Sequence, residues 1–159
     1  MSIETSRAFL RDRGIESRVL EFDVSSATVE LAAAALGVEP ARICKSLSFK
    51  LADCSILVLA AGDARIDNRK FKDYFGVKPK MLSAEEVLEN IGHPVGGVCP
   101  FGIHEGVRVF ADRSLERFVT VFPAVGSGNS AIELNLEELY NFSAAECWVD
   151  VCKIPEIES

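Results

Sequence analysis

Three short stretches hold the residue types from which a reactive site can be built. The first is "ARICKSLSFK", residues 41–50. Ile43, Leu47 and Phe49 alternate with Ser46 and Ser48, the period of a strand with one apolar face. In that register Lys45 stands on the apolar face, beside Ile43 and Leu47. A lysine is almost never fully buried without a partner. It snorkels to solvent, pairs with an acid, or lines a pocket, where it can contact an electron-rich group or act as a base with a lowered pKa.

The second stretch is "HPVGGVCPFGIH", residues 93–104. Its glycines and prolines (Pro94, Gly96, Gly97, Pro100, Gly102) let backbone approach a ligand closely and aim N–H groups at it, as in an oxyanion hole. Cys99 lies between His93 and His104. That raises a cysteine-dependent hydrolase, set against a plain tight turn around a small buried thiol. The third is "VTVFPAVGSGNSA", residues 119–131. It places Gly126, Gly128 and Ala131 after a strand in the G-x-G-x-x-A order of a dinucleotide loop. The following "SAIELN" alternates like a strand, whereas the fingerprint needs a helix opening at the glycines. A nucleotide- or small-molecule-binding module without catalysis therefore stays as an alternative. No CxxC pair occurs among the five cysteines, which argues against a zinc site.

These stretches must be held by short alternating elements. The pattern predicts a helix over 2–13 closed by Gly14, a strand over 17–22, and a helix from Thr28 to Leu36 ending at Gly37. Two strands follow, 43–51 and 55–60, around the turn "ADCS". A basic helix near 66–75 stops at Gly76, and Ser83 with Glu86 makes a capping box for a helix over 84–91. Strands are expected at 107–111, 118–123, "SAIEL" and "ECWVDVC", with Asn135 and Glu138 capping a helix over 136–142. Seven strands and about five helices, with no linker or repeat, point to one α+β (mixed α/β) domain over 1–159, its mixed and mostly antiparallel sheet flanked by helices.

Composition narrows the class. Hydrophobic residues make up 48% and charged residues 26%, a globular balance, and no apolar run approaches a membrane span. The charged start "MSIETSRAFLRDRG" is unlike a signal peptide, so reduced thiols in the cytoplasm are expected. Net charge is −7, against generic nucleic-acid binding. Residues 65–80 break the trend: Arg65, Arg69, Lys70, Lys72, Lys78 and Lys80 face only Asp67 and Asp73, a local +4. Such a stretch suits phosphates or is simply a solvated face.

Taken in order, the lysine of "ICKSL", the GxxxP loop from Gly96 to Pro100 with Phe101 and Gly102 after it, and "VGSGN" between two strands resemble the YbaK/ProX family. These are aminoacyl-tRNA deacylases related to the editing domain inserted in bacterial prolyl-tRNA synthetases. The likeness runs from "VLEFD" through "ATVELAAAALGVEPARICKSLSFK" to "LEELYNF". It implies a free-standing trans-editing hydrolase that removes a wrongly attached small amino acid from tRNA of the prolyl type by ester hydrolysis. Alanine, cysteine, serine and threonine all lie within the family's range. The implied partners are mischarged aminoacyl-tRNA and an aminoacyl-tRNA synthetase, not DNA or a membrane, and no metal or organic cofactor is implied. Lys45 matches the family's essential lysine, which positions the substrate while water attacks, assisted by a substrate group or the ribose hydroxyl. Backbone N–H groups of Gly96, Gly97, Val98, Cys99 and Pro100's loop, with Gly102, would hold the carbonyl or developing oxyanion. Ser46 and Asn129 would tune which amino acid fits. Phe22, Thr28, Gly126, Ser127 and Gly128 would line the same pocket, and Arg65, Arg69, Lys70 and Lys72 would meet the tRNA.

Overall fold

The computed structural model describes residues 2–155. The chain runs α1 (Ser2–Arg11), β1 (Leu20–Glu21), α2 (Val29–Leu36), β2 (Ile43–Lys50), β3 (Ser55–Ala61), β4 (Arg65–Ile66), α3 (Asn68–Phe75) and α4 (Ala84–Glu86), which continues as a π turn over Val87–Ile91. Then come β5 (Arg108–Asp112), a 3₁₀ segment (Arg113–Arg117), β6 (Thr120–Pro123), β7 (Ser130–Ala131), β8 (Leu134–Asn135), α5 (Leu136–Phe142), β9 (Trp148–Val149) and β10 (Cys152–Lys153).

The most apolar run sets the centre. From Ile56 to Ala61 every residue of β3 is buried, the signature of a strand covered on both faces. Around it lies a six-stranded sheet in the order β8-β6-β2-β3-β5-β9. The expected α+β domain, with five helices around one mixed sheet, is what the chain forms. The pairings β2–β3 and β6–β8 are antiparallel, while β2–β6, β3–β5 and β5–β9 are parallel. Parallel neighbours therefore supply more of this sheet than the hairpin-rich sequence suggests, because crossing segments return the chain in the same direction. Two further antiparallel pairs, β1–β7 and β10–β4, lie outside it.

The helices begin and end where their caps place them. Thr28 Oγ1 accepts from Leu31 N–H at 3.2 Å, and Gly37 closes α2 in the left-handed region at φ 71°. Asp67 caps α3 by accepting from Arg69 and Lys70 N–H, and Gly76 ends it. Ser83 with Glu86 and Asn135 with Glu138 form two complete capping boxes. Each such cap contributes about 1 kcal/mol.

Three strand expectations change, one of them at "SAIEL", which divides into β7 and β8 with different partners, β1 and β6. Residues 17–22 yield a 3₁₀ turn (Glu16–Arg18) and only the two-residue β1. Arg18 leaves the strand path to fork Glu138 at 2.6 and 3.1 Å and to reach Glu133 O at 2.6 Å. "ECWVDVC" splits into β9 and β10, which pair with different strands. The buried Asp112 carboxylate takes Val151 N–H at 2.9 Å, so the ladder is interrupted there.

The β2–β6 ladder is short. It joins Ile43 to Phe122 and Cys44 to Pro123. Beyond it the two strands part, and β2 is next covered on that side by residues 80–82: Lys50 N–H donates to Lys80 O at 2.9 Å and Leu82 N–H to Ser48 O at 3.2 Å. Lys45, Ser46 and Leu47 lie at this fork. All five cysteines are free thiols. No helix among the described residues is long and apolar enough to cross a membrane.

Candidate functional site

A cavity of about 130 Å³ opens at the fork. Its walls come from the α2 entry (Ser26, Ala27, Thr28, Val29, Ala32), from Ile43, Cys44, Lys45 and Ser46 of β2, from Gly96 and Val98, and from Phe122, Ala124, Ser130 and Ala131. Four consecutive residues of β2 thus take part in its wall.

Lys45 is half-buried and is the one lysine or arginine among the described residues that line the cavity. Its Nζ donates to Gly62 O at 3.3 Å and to Ala64 O. An ammonium has three donors, so two are held by backbone carbonyls and one is left for a ligand. Burial pulls the Lys45 pKa down, opposed by the charge of the Asp63 carboxylate. Of the four hydroxyl residues in the walls, Thr28 caps α2 and Ser130 Oγ is held by Val125 N–H and Ser127 Oγ. Ser26 Oγ and Ser46 Oγ are buried with no hydrogen-bond partner among the described residues. Leaving such a group unpaired costs roughly 1–3 kcal/mol, so both are poised for a polar guest.

Three segments converge at the mouth. The φ of Gly96 is 94°, and a Cβ there would stand 3.1 Å from Ala27 Cβ; one on Gly128 would stand 3.3 Å from the same atom. Ser26 N–H donates to Gly128 O at 2.7 Å. A Cβ on Gly97 would stand 2.6 Å from Ser127 N, so the two glycine loops touch backbone to backbone. Close approach, and not flexibility, is what these glycines supply.

Of the residues expected at the site, Lys45, Thr28, Ser46, Gly96 and Val98 line the cavity. The others are not among its lining residues. Gly97 N–H donates to Pro94 O at 3.0 Å and so serves a turn. Phe22 and Asn129 hold each other through Phe22 N–H to Asn129 O (2.8 Å) and Asn129 Nδ2 to Phe22 O (3.1 Å). Ser127 Oγ donates to Asn129 Oδ1 at 2.9 Å. Pro100 and Gly126 are buried, and Gly102 packs on α1, where a Cβ would meet Thr5 Cγ2 at 2.9 Å. Ser26, Val29, Phe122 and Ser130 were not singled out from the sequence, since no local pattern marks a serine before a helix cap as a cavity wall.

Cys99 is fully buried, and burial pushes its pKa up to about 11. Its Sγ lies 3.4 Å from Ser6 Oγ and 3.5 Å from His93 Nε2. Burial also lowers the His93 pKa, so the ring is neutral at pH 7 with one N–H. Nε2 faces Phe101 O at 2.8 Å and must carry that proton to donate. It has no lone pair left to take the thiol proton. The thiol-hydrolase arrangement is therefore not formed. The glycine loop at 126–129 leads into β7, not a helix, so the dinucleotide arrangement is absent too. No group of three or more His, Cys, Asp or Glu among the described residues is placed to hold a metal ion.

The basic stretch starts beside the site, where the Arg65 charge acts on Lys45. Arg69, Lys72 and Lys78, with Asn68 and Pro79, line a groove of about 420 Å³. Lys70 is engaged elsewhere: its Nζ donates to Asp150 Oδ1 at 3.0 Å and to Cys152 O at 3.1 Å.

Comparison with known proteins identifies the family. The sequence profile of the family described as the aminoacyl-tRNA editing domain matches residues 24–142. The uncharacterized protein YwhH of Bacillus subtilis (strain 168) is 54% identical over 154 residues, covering 96% of this chain and 98% of that one. The proline–tRNA ligase of Thermosipho melanesiensis is 33% identical over 88% of this chain, which spans only 24% of that longer protein. Among solved structures, one described as a candidate trans-editing enzyme for prolyl tRNA synthetase superposes with a TM-score of 0.86 at 29% identity, covering 96% of this chain and 97% of the other.

Proposed function

The chain belongs to the aminoacyl-tRNA editing domain family, and on that premise we propose that it is a trans-acting deacylase that removes a small amino acid wrongly attached to tRNA of the prolyl type. The observation that carries this reading is the Lys45 ammonium, with one donor left by its two carbonyl partners, at a small cavity where the buried hydroxyls of Ser26 and Ser46 have no partner among the described residues.

Size decides which part of the substrate enters. A cavity near 130 Å³ compares with the ~150 Å³ void that accepts a benzene-sized guest. It holds the aminoacyl group with a small side chain, and the terminal nucleoside stays outside. Val29, Ile43, Val98 and Phe122 give the side chain an apolar wall. Ser26 and Ser46 are within the same walls to bind the α-amino group or a side-chain hydroxyl or thiol. This suits alanine, cysteine, serine and threonine.

The reaction is hydrolysis of the ester. Water's oxygen attacks the carbonyl carbon, the bond to the ribose oxygen breaks, and the ribose hydroxyl regains a proton. Free amino acid and uncharged tRNA leave. Lys45 positions the ester and stabilises the charge that develops on oxygen. Because Gly97 N–H serves a turn, the GxxxP loop's part is to place Gly96 and Val98 as cavity wall and to offer its remaining N–H groups. The acceptor arm lies along Arg65 and the groove of Arg69, Lys72 and Lys78. The synthetase that releases the mischarged tRNA is the partner upstream.

The test is a panel of tRNAs carrying proline, alanine, cysteine, serine or threonine, with release of amino acid followed for the parent and for Lys45→Ala. Turnover of at least one small mischarged amino acid, lost in the variant, is expected. No turnover of any member sinks the reading.

A further inference from the structure

Lys45 does not choose its own position; two backbone carbonyls do. Those carbonyls belong to the loop after β3, through Gly62 and Ala64. The loop is clamped on both sides. In front, Gly62 fits so closely that a Cβ would stand 2.1 Å from Pro40 O and 2.7 Å from Val29 Cγ1. Behind, the 3₁₀ segment holds the end of β3 that leads into it and the loop itself. Ser114 Oγ accepts from Ala61 N–H at 3.1 Å, and Arg117 forks Asp63 with Nη1–Oδ2 at 3.0 Å and Nη2–Oδ1 at 2.6 Å. The segment is itself fixed: Asp112 accepts from Ser114 N–H at 2.9 Å, and Arg117 Nε donates to Ser114 O at 2.9 Å. Asp63 and Arg117 stand outside the cavity wall.

We propose that Asp63 and Arg117 are positioning residues for Lys45: their bidentate pair fixes the Gly62–Ala64 loop, and with it the place and the charge of the ammonium. The proposal rests on Lys45 being the working residue of the deacylase. A partly exposed ion pair contributes little to global stability, whereas a two-pronged Arg–carboxylate contact fixes geometry well. Charge adds to position. The groups that face Lys45 are the Asp63 carboxylate from the loop, Arg65 of β4, Glu30 of α2 and the Cys152 thiol of β10. Arg117 holds the Asp63 pKa down, so this carboxylate is ionised at neutral pH and favours the ammonium that burial disfavours.

The experiment uses the full chain with Asp63→Asn, Arg117→Gln, Arg117→Lys and Lys45→Ala, on whichever mischarged tRNA the parent hydrolyses. Three quantities are read: kcat and KM, the melting temperature, and the Lys45 titration midpoint from ¹³C-labelled lysine NMR. Asp63→Asn and Arg117→Gln should lower kcat about tenfold to a hundredfold, the scale of a slightly misplaced catalytic group, with KM and melting temperature near the parent's. Arg117→Lys should restore part of kcat. Asp63→Asn should also move the Lys45 midpoint about half a pH unit lower, because a nearby opposite charge is removed. Parent-like kcat and midpoint in Asp63→Asn, with Lys45→Ala inactive, overturn the positioning role and leave the deacylase reading standing. A fall in kcat that tracks a fall in melting temperature, with the midpoint unmoved, overturns it too, as a structural effect. An active Lys45→Ala instead removes the premise itself.

Discussion

Cys99 Sγ lies 3.5 Å from His93 Nε2, yet the two groups form no catalytic pair, because the ring proton at Nε2 faces Phe101 O at 2.8 Å. The thiol belongs to a buried knot in which Ser6 Oγ also donates to Phe101 O at 3.0 Å, and Ser2 Oγ sits between His93 Nδ1 (2.8 Å) and Gly126 O (2.5 Å). This knot ties α1 to both glycine loops. Cys99→Ala should therefore keep most of the deacylation rate and lose about 1 kcal/mol of stability from the lost packing. Alkylation of native protein at pH 7 should be slow at Cys99, since a thiol held near pKa 11 is almost wholly protonated. A folded Cys99→Ala protein inactive on every mischarged tRNA contradicts this.

Lys45→Ala should lose at least a hundredfold in kcat while remaining folded. Lys45→Arg should fail as well, since a planar guanidinium cannot take the place of a compact ammonium between two carbonyls. The pH dependence of stability has a definite sign. Burial lowers the Lys45 pKa in the folded chain, so the unfolded chain binds more protons between the folded and unfolded values. Stability due to this residue should rise with pH through that window, and its penalty is fully present below the folded value. Lys45→Ala should flatten that rise in alkaline urea titrations.

Ser26→Ala and Ser46→Ala should each stabilise the ligand-free protein. Each removes a buried hydroxyl that has no partner among the described residues, a gain of about 1 kcal/mol or roughly 2–4 °C in melting temperature for a chain of this size. The same changes should lower kcat/KM for the preferred amino acid and alter the order of preference across the panel. A melting temperature at or below the parent's would mean the hydroxyls are hydrated, not waiting for a guest.

Arg69→Glu, Lys72→Glu and Lys78→Glu together should raise KM for mischarged tRNA and flatten its salt dependence. The slope should fall by somewhat under one log–log unit per lost phosphate contact. Hydrolysis of a small aminoacyl ester should be unaffected, because the cavity is untouched. Lys70→Glu should behave differently: it breaks the contacts to Asp150 and Cys152 O and should mainly cost stability. Parent-like binding by the triple variant at low and moderate salt would move the docking face to Arg7, Arg11 and Arg13 of α1 or its flank.

The helices were legible in the sequence because their instructions are local. Thr28 and Gly37, Ser83 and Glu86, and Asn135 and Glu138 act within one turn, and the structure uses each of them. The Lys45 strand and the two glycine loops could be read for the same reason: alternation and glycine spacing are properties of a few neighbouring residues. Strand extent was not legible. The segments at 17–22 and 146–152 have strand-like composition, but a strand lasts only as long as its partner, and the partners are the distant β7, β5 and β4. The same limit applies to the site. Burial turned Cys99 from a candidate nucleophile into a packed, protonated thiol. Ser26, Asp63 and Arg117 carry no pattern of their own, and acquire their places only when the β2–β6 fork and the 3₁₀ segment meet the loop that holds Lys45. Chemistry that depends on residue type and short spacing can be read along the chain; distance, desolvation and hydrogen-bond direction exist only once remote segments are packed together.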